Sequence, residues 1–393
     1  MLLDRNAAVK IKNQKLKNSG IVSIDVNLKS QRKQKIIIGA NLINQIEINI
    51  KAKKYDKVII FSDSIIKKLH NDYLNEVVEV TGAIGIINIK AAPHIKDFAF
   101  LKRIIDKLIS YRLNRGSAII AIGGGTLIDL VGFVASLYMR GIDFIAIPTT
   151  LMAQGDTVIG KVGVNYEKFK HLLGSFYSPT LTFSDSYFLK SLNEQEKFNG
   201  LVEVWKHAIL TRDEHLLNYF SEENFYKLKK NTGVLQNIIA SSIVIKKKFV
   251  ERDIFDINGK HAALSLGHTF ANYLEQGGNI RHGEAILVGT IFCTFLSNRA
   301  KKLTDKKASL IFNMSRKFLK ILKYNNKLIF KKVKSEEVVI ESLKFDKINT
   351  VEGSYNFVVP ANNGYTQLKK VSREEIKDCL ILLKAFMKDN YLR

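Results

Sequence analysis

The 393-residue sequence has few cysteines, few prolines and no long apolar runs. Two cysteines, Cys293 and Cys379, are too few for a disulfide framework or for a zinc site built on thiolates. No stretch approaches the roughly 18 consecutive apolar residues of a membrane-spanning helix. The amino terminus, MLLDRNAAVKIKNQK, lacks the apolar core and small-residue cleavage site of a secretory signal. We therefore expect a cytoplasmic globular protein with no membrane partner.

Acidic residues are also scarce: 37 Asp and Glu stand against 61 Lys and Arg, which gives a formal net charge of +24. Such a charge would suit a nucleic-acid-binding protein. The lysines are, however, spread along the whole chain, and no zinc finger, RNA-recognition signature or basic-zipper heptad accompanies them. We therefore predict no nucleic-acid partner and explain part of the positive charge by an anionic small-molecule substrate.

The apolar pattern divides the chain into three parts. Residues 1–20 are a polar, basic extension. Between 21 and 185, strand-like runs such as KVIIFSD and AIIAI alternate with helical patterns, which predicts an α/β domain with a parallel sheet. Between 186 and 393 few strand-like runs occur before YNFVVP, and we predict an all-α or mainly helical domain from the amphipathic segments at 194–221, 233–251, 262–276, 283–302 and 305–323.

A run of three glycines, Gly123, Gly124 and Gly125, follows the apolar stretch Ala118–Ile122 and precedes a helical pattern. Glycines at the end of a buried strand let the backbone approach a phosphate, and the following helix start offers free N–H groups. The run is not the GxGxxG fingerprint, so a tight strand-to-helix turn is the alternative interpretation. Asp129, in the first turns of that helix, could simply be an acid favoured by the helix dipole.

One carboxylate and two imidazoles stand out in the helical half: Glu203 in GLVEVWKHAIL, His268 in LSLGHTFANYLE and His282 in NIRHGEAILVG. This set of ligand types is typical of a catalytic zinc site that keeps a position open for substrate or water. The alternative is that the histidines are ordinary surface residues and that Glu203 and Lys206 form a helical pair.

Polar residues are concentrated in the Gly-punctuated run PTTLMAQGDTVIGKVGVNY, at 148–166. Arg140, Lys161, Lys170 and Lys206 lie in or near this run or near Glu203 in the sequence. Cationic side chains pair with phosphate and carboxylate groups, which predicts a site for a polyhydroxylated anion. A solvated loop is the alternative.

Six segments, in this order, resemble the sugar phosphate cyclase family: GGGTLIDLVGFVASLYMRG, IPTTLMAQGDTVIGKVGVN, LLGSFYSPTLTFSD, GLVEVWKHAIL, LGHTF and HGEA. All six lie within residues 118–287. The resemblance implies a dehydroquinate synthase-like fold: an NAD-binding α/β domain, a helical metal-binding domain and an active site between them. It also implies a homodimer.

The resemblance further assigns roles to individual residues. It implies zinc or cobalt at Glu203, His268 and His282, and NAD at Asp63, Gly123, Gly124, Gly125, Asp129, Thr149 and Thr150. It implies catalytic roles for Asp156, Lys161, Lys206 and Lys246, and substrate contacts from Lys170, His171, Lys260, Asn272, Lys347 and Arg140, the last donated across the dimer interface.

The implied chemistry is a cycle in which NAD takes a hydride from a secondary alcohol, phosphate leaves by β-elimination, the hydride returns and an aldol reaction closes a carbocycle. The leading expectation is that the protein belongs with the dehydroquinate-forming enzymes of the family, which act in the shikimate pathway. His171 stands where those enzymes have Asn, and Asn272 stands where they have His. Only Lys260 or His261 is available in place of an expected arginine. The alternatives are a cyclitol-forming cyclase acting on sedoheptulose 7-phosphate or glucose 6-phosphate, and a metal-dependent polyol dehydrogenase.

Overall fold

A computed structural model describes residues 20–27, 33–167, 169–229, 231–253, 261–277, 279–322, 326–333, 336–343 and 355–391. The amino-terminal half is built on one seven-stranded sheet with the strand order β1-β2-β9-β6-β5-β3-β4. Every pair in it is parallel except β1 with β2. Its strands are β1 (Val22–Asn27), β2 (Lys33–Gly39), β3 (Val58–Asp63), β4 (Gly85–Ile89), β5 (Ala118–Gly123), β6 (Asp143–Pro148) and β9 (Leu181–Asp185).

The central strands are apolar on both faces because helices cover both sides of the sheet. Ile119 of β5 packs into a cluster that contains residues of α5, whereas the next residue, Ile120, packs with residues of α1 and α3. The helices of this half are α1 (Ile43–Lys53), α2 (Ser64–Leu69), α3 (Asn71–Thr81), α4 (Phe98–Ser110) and α5 (Gly125–Leu137). The parallel sheet predicted for this part of the chain is confirmed.

The polar run that follows β6 ends in β7 (Val162–Tyr166), which forms a hairpin with β8 (Phe169–Ser175). The hairpin is preceded by a π-helical turn, Ala153–Thr157. Single π-helical turns are rare and occur mostly at functional sites. The carboxyl ends of β3, β5, β6 and β9 meet at one edge of the sheet, next to this turn, which is where open α/β sheets bind ligands.

The carboxyl-terminal half is mainly helical. One antiparallel hairpin, β10 (Tyr355–Ala361) with β11 (Gly364–Val371), departs from the all-α expectation. None of the described helices is both long and apolar enough to cross a membrane. The helices are α6 (Glu194–Thr211), α7 (Glu214–Asn218), α8 (Glu222–Phe225), α9 (Thr232–Arg252), α10 (His268–Leu274), α11 (His282–Arg299), α12 (Asp305–Leu322), α13 (Asn326–Val333), α14 (Glu336–Leu343) and α15 (Arg373–Tyr391).

Two predicted helical segments are wrong in extent. The segment 194–221 is two helices, because Arg212 adopts a left-handed conformation with φ 52° and Asp213 then caps α7. The segment 262–276 is a 3-10 turn, His261–Ser265, followed by α10. Gly267 separates the two with φ 77°, a conformation that glycine adopts without strain. This break places His268 at the first position of α10.

Candidate active site

The three predicted metal ligands converge from three helices. Glu203 lies in the middle of α6, His268 is the first residue of α10 and His282 is the first residue of α11. Oε1 of Glu203 lies 3.2 Å from Nε2 of His282 and 3.9 Å from Nε2 of His268. One ligand atom from each of the three residues lies within 4.8 Å of the others. The arrangement is compact enough for a single divalent ion to contact all three.

Glycines allow α11 to approach α6 and the start of α10 until their backbones are in contact. A Cβ added at Gly289 of α11 would lie 2.1 Å from the carbonyl oxygen of Gly267, next to His268. A Cβ at Gly283 would lie 2.2 Å from the carbonyl oxygen of Asn199 in α6. No side chain fits at such distances, so Gly283 of the HGEA motif and Gly289, further along α11, serve close helix packing. That packing brings His268 and His282 to Glu203.

Glu203 is a buried anion. Its side chain is 1% exposed, and its Oε2 lies 2.5 Å from Nζ of Lys206, which is itself 2% exposed. Burial alone would raise the pKa of Glu203, but Lys206 and the two imidazoles hold it well below its usual value. Its two oxygens form ion pairs but no well-aligned hydrogen bond to a described residue. A buried ionised carboxylate in this state suits a divalent cation, so the donor set fits a metal ion.

Both imidazoles turn Nε2 towards Glu203 because Nδ1 faces another oxygen. Nδ1 of His282 lies 2.6 Å from Oε1 of Glu275, and Nδ1 of His268 lies 3.3 Å from the carbonyl oxygen of Leu266. Burial and then Lys206 lower the pKa of His268 to about 3. Burial would also lower the pKa of His282, but Glu275 and Glu203 raise it to about 10. Oxygen partners of this kind set the tautomer of metal-binding histidines.

A second polar cluster adjoins the first and shares Glu203 with it. Asp156 lies on the π-helical turn, and its Oδ1 is 2.9 Å from Nζ of Lys246 in α9. Nε2 of the buried His207, one residue after Lys206, lies 3.6 Å from the same oxygen. Burial would raise the pKa of Asp156, but the combined effect of Lys246, Lys206 and His207 outweighs burial, and the pKa is lowered. The predicted catalytic residues Asp156, Lys206 and Lys246 therefore line one site together with Glu203.

The glycine run is packed against neighbouring loops. Gly125 is the first residue of α5, and a Cβ there would lie 2.8 Å from Oγ1 of Thr157. A Cβ at Gly124 would lie 3.3 Å from Cγ2 of Thr150. None of the three glycines has a positive φ. Close approach, rather than an unusual backbone conformation, is therefore what requires glycine here.

The other predicted cofactor residues surround this run. The Thr149 N–H donates to the carbonyl oxygen of Gly123 at 2.9 Å, and Asp63 ends the neighbouring strand β3. Asp129 lies 2.5 Å from Nζ of Lys96, with both side chains largely buried. Burial raises the pKa of Asp129, although Lys96 opposes the shift.

The predicted substrate residues are less concentrated. Lys170 and His171 lie in β8, and Asn272 is exposed on α10, one turn after His268. The fourth predicted catalytic residue, Lys161, immediately precedes β7. Arg140 is exposed on a 3-10 turn that follows α5. The 13 residues of α5 separate Arg140 from the glycine run by about 20 Å. Lys260 and Lys347 lie outside the described residues.

Four residues at the site were not anticipated from the sequence: Lys96, His207, Ser242 and Glu275. Lys96, His207 and Glu275 lie against the predicted residues Asp129, Asp156 and His282, respectively, and Ser242 lies against His207. Of the four, Glu275 could most easily have been found from the sequence. It is a carboxylate seven residues after His268 and seven before His282, which is near both predicted ligands in the chain.

Family models describe two adjoining parts of this chain. The 3-dehydroquinate synthase N-terminal model matches residues 86–199, and the 3-dehydroquinate synthase C-terminal model matches residues 200–348. The chain is 34% identical over 254 residues to a 3-dehydroquinate synthase of Bacillus pumilus, covering 64% of this chain and 69% of that protein. It is 37% identical over 269 residues to one of Helicobacter pylori strain J99, covering 67% and 76%.

A longer relative is the bifunctional 3-dehydroquinate synthase/phosphatase of Fusobacterium nucleatum, 35% identical over 317 residues. The match covers 76% of this chain but 47% of that protein, so the chain spans about half the length of this relative.

Solved structures share the fold. A 2-epi-5-epi-valiolone synthase of Streptomyces hygroscopicus, with NAD+ and Zn2+ bound, has a TM-score of 0.79 at 21% identity, over 92% of this chain and 99% of that one. A 2-deoxy-scyllo-inosose synthase with carbaglucose-6-phosphate, NAD+ and Co2+ has a TM-score of 0.78 at 23% identity, over 91% and 99%. From the two family models, which together cover most of its length, and from its curated relatives, the chain belongs to the 3-dehydroquinate synthase family.

Proposed function

We propose that this protein is an NAD- and metal-dependent sugar phosphate cyclase, and specifically a 3-dehydroquinate synthase acting in the cytoplasm. It would be a carbon–oxygen lyase that eliminates phosphate from 3-deoxy-arabino-heptulosonate 7-phosphate and closes the product into a carbocycle. The observation that carries the proposal is the convergence of Glu203, His268 and His282 beside Lys206, Asp156 and Lys246. A site for alcohol oxidation alone has no need of the two additional buried lysines.

The residues present fit both cofactors. Glu203, His268 and His282 would hold a divalent zinc or cobalt ion, and the loops around Gly123–Gly125, Asp63, Asp129, Thr149 and Thr150 would hold NAD. When bound, the ion supplies Lewis-acid polarisation of a substrate hydroxyl and ketone, and NAD supplies a reversible hydride acceptor. The ligands bound in the valiolone and inosose synthase structures, NAD+ with Zn2+ or Co2+, support this choice.

The lysines and Asp156 act on the substrate itself. Lys206 and Lys246 place two buried ammonium groups beside the site, where they stabilise negative charge that develops as phosphate departs. Asp156, ionised because Lys246 lowers its pKa, is positioned to accept hydrogen bonds from substrate hydroxyls. Lys161 is the fourth proposed catalytic residue. The proposed set of substrate contacts is completed by Lys170, His171, Lys260, Asn272 and Lys347.

Arg140 would come from a partner subunit of a homodimer. It lies at the far end of α5 from the glycine run, beside the exposed apolar residues Leu137 and Met139. Met139 and Arg140 both have left-handed backbones, with φ 53° and 64°. Such conformations cost about 1 kcal/mol or more per residue and persist where surrounding contacts or a function require them. A second copy covering this turn would supply those contacts.

Two other activities remain as specific alternatives. The stretch 254–267 contains no arginine to bind a substrate carboxylate, which favours a cyclitol-forming cyclase acting on sedoheptulose 7-phosphate or glucose 6-phosphate. A metal-dependent polyol dehydrogenase shares the architecture: the iron-containing alcohol dehydrogenase of Thermococcus thioreducens has a TM-score of 0.63 at 15% identity.

The test is phosphate release by purified protein loaded with zinc or cobalt and supplied with catalytic NAD. The three sugar phosphates are compared in parallel, with Glu203→Gln as the matched inactive variant. Release from the seven-carbon carboxylated sugar alone supports the 3-dehydroquinate synthase assignment. Release from either of the other two sugars, with the first inert, assigns a cyclitol-forming enzyme. Stoichiometric NADH accumulation without phosphate would identify a dehydrogenase and overturn the proposal.

A further inference from the structure

The π-helical turn that carries Asp156 is held by two side chains of α9. Ser242 and Lys246 are one helical turn apart, and they reach the carbonyl groups of consecutive residues in the turn. Oγ of Ser242 donates to the carbonyl oxygen of Gly155 at 3.0 Å. Nζ of Lys246 donates both to the carbonyl oxygen of Asp156 and, at 2.9 Å, to its Oδ1. Two consecutive peptide groups, Gly155–Asp156 and Asp156–Thr157, are therefore tied to α9.

A count of protons determines what His207 contributes. Ser242 has one hydroxyl proton and gives it to Gly155. Ser242 therefore has no second proton for the 2.7 Å contact between its Oγ and Nδ1 of His207. We accordingly assign the proton of that contact to Nδ1, which donates to Oγ. Burial and then Lys206 lower the pKa of His207 to about 4, so the ring is neutral and its Nε2 carries no proton. His207 therefore acts on the turn through Ser242 and does not donate to Asp156.

A second cation does not explain this cluster. Asp156, Glu203 and His207 offer ligand atoms within 4.8 Å of one another. Lys206 already pairs with Glu203, and Lys246 already pairs with Asp156. These two ammonium groups supply the positive charge that a second ion would bring, and they would repel it.

We propose that His207 and Ser242 are positioning residues for Asp156, forming a relay from α6 through α9 to the Gly155 carbonyl group. The inference rests on the proposed function, in which Asp156 contacts the substrate. The relay links the helix that carries Glu203 and Lys206 to the turn that carries Asp156. The turn also lies directly against α6, since a Cβ on Gly155 would be 3.4 Å from Cγ2 of Val204. The relay thus fixes the Asp156 carboxylate relative to the metal ligands.

Two substitutions, His207→Asn and His207→Gln, distinguish the contributions of the two ring nitrogens of His207. The amide nitrogen of Asn can take the place of Nδ1 and keep the donor to Ser242, whereas Gln places its amide near Nε2 and loses that donor. We expect Ser242→Ala and His207→Gln each to lower kcat/KM for phosphate release by about 10- to 100-fold, as a misplaced catalytic contact does, and His207→Asn to stay within about threefold. The double variant Ser242→Ala/His207→Gln should be no worse than the poorer single variant, since both break one relay.

Ser241→Ala is the matched control on α9, and metal content and thermal unfolding verify that each variant is folded. Hydrogen exchange of the amides of Ala153–Thr157 provides a readout that needs no substrate: Ser242→Ala and His207→Gln should accelerate it, and Ser241→Ala and His207→Asn should not. Equal losses in His207→Asn and His207→Gln, additive effects in the double variant or unchanged exchange would overturn the relay. Failure of the wild-type protein to release phosphate, with the exchange pattern as expected, would instead refute the proposed function.

Discussion

Oε1 of Glu275 lies 2.6 Å from Nδ1 of His282, so a second buried carboxylate stands directly behind one of the proposed metal ligands. Glu275 is 3% exposed and follows the last residue of α10. Lys332 of α13 donates to the carbonyl oxygens of Leu274 and Gln276, on either side of it. The end of α10 is therefore held in place, and Glu275 keeps the proton of His282 on Nδ1 so that Nε2 faces Glu203.

Replacing Glu275 by Gln should weaken metal binding while leaving the three ligands in place. We expect the dissociation constant for zinc to rise about 10- to 100-fold, the range found when such outer partners are removed. Competition with a chelating dye measures the constant. Glu223→Gln, at a residue whose side chain is 84% exposed, is the control. An unchanged zinc affinity in Glu275→Gln would show that Glu275 does not support the site.

Metal binding should depend on pH through His282. In the metal-free protein the pKa of His282 is raised to about 10, so near neutral pH its Nε2 carries a proton that a metal ion must displace. His268, with a pKa lowered to about 3, is already neutral, and Glu203, with a lowered pKa, is already ionised. The apparent zinc affinity should therefore rise about tenfold per pH unit from about pH 6.5 to 8.5. The same dye competition, repeated across this pH range, measures the zinc affinity. A constant affinity would contradict the proposal that the metal ion displaces a proton from His282.

The glycines that bring the ligand helices together should not tolerate a methyl group. Gly289→Ala would place a Cβ 2.1 Å from a backbone oxygen, and we expect the free energy of unfolding to fall by about 1–3 kcal/mol. Helix propensity alone would favour Ala by about 1 kcal/mol, so the sign of the change separates packing from propensity. Gly233→Ala, at an exposed position of α9, is the control and should be neutral or stabilising. Urea unfolding of both variants measures the difference, and a stabilised Gly289→Ala protein would argue against the close packing.

Subunit complementation tests whether Arg140 acts across a dimer interface. Arg140→Ala and Glu203→Gln subunits are each expected to form inactive homodimers. A hybrid dimer, purified through two different tags, contains one site with intact metal ligands and an intact arginine from the partner. Its activity should reach about half that of the wild-type dimer, since one of two equivalent sites is restored. An inactive hybrid, a monomeric protein in solution or full activity of Arg140→Ala would each refute the assignment.

Local sequence patterns predicted much of this protein. The parallel sheet follows from apolar runs such as Ala118–Ile122, because a strand buried on both faces must be apolar at every position. The proposed metal ligands and the glycine run were recognisable because few residue types perform such chemistry and because the motifs that contain them follow the order of the family they resemble. The hairpin strand at 355–360 was also visible. Its partner β11 was not, because two consecutive exposed lysines, Lys369 and Lys370, interrupt any alternation of apolar and polar residues.

What only the tertiary structure decided is how those residues are held. His207 and Ser242 lie 35 residues apart, and Ser242 and Gly155 lie 87 apart. Lys96 and Asp129 lie 33 apart, on different elements. A hydrogen bond or ion pair between distant residues leaves no periodicity in the sequence, since it depends on where two helices cross and not on spacing within either one. The sequence by itself determined which groups are candidates for the chemistry and on which kind of element they lie, whereas the packing of α6, α9, α10 and α11 decided their distances, protonation and partners.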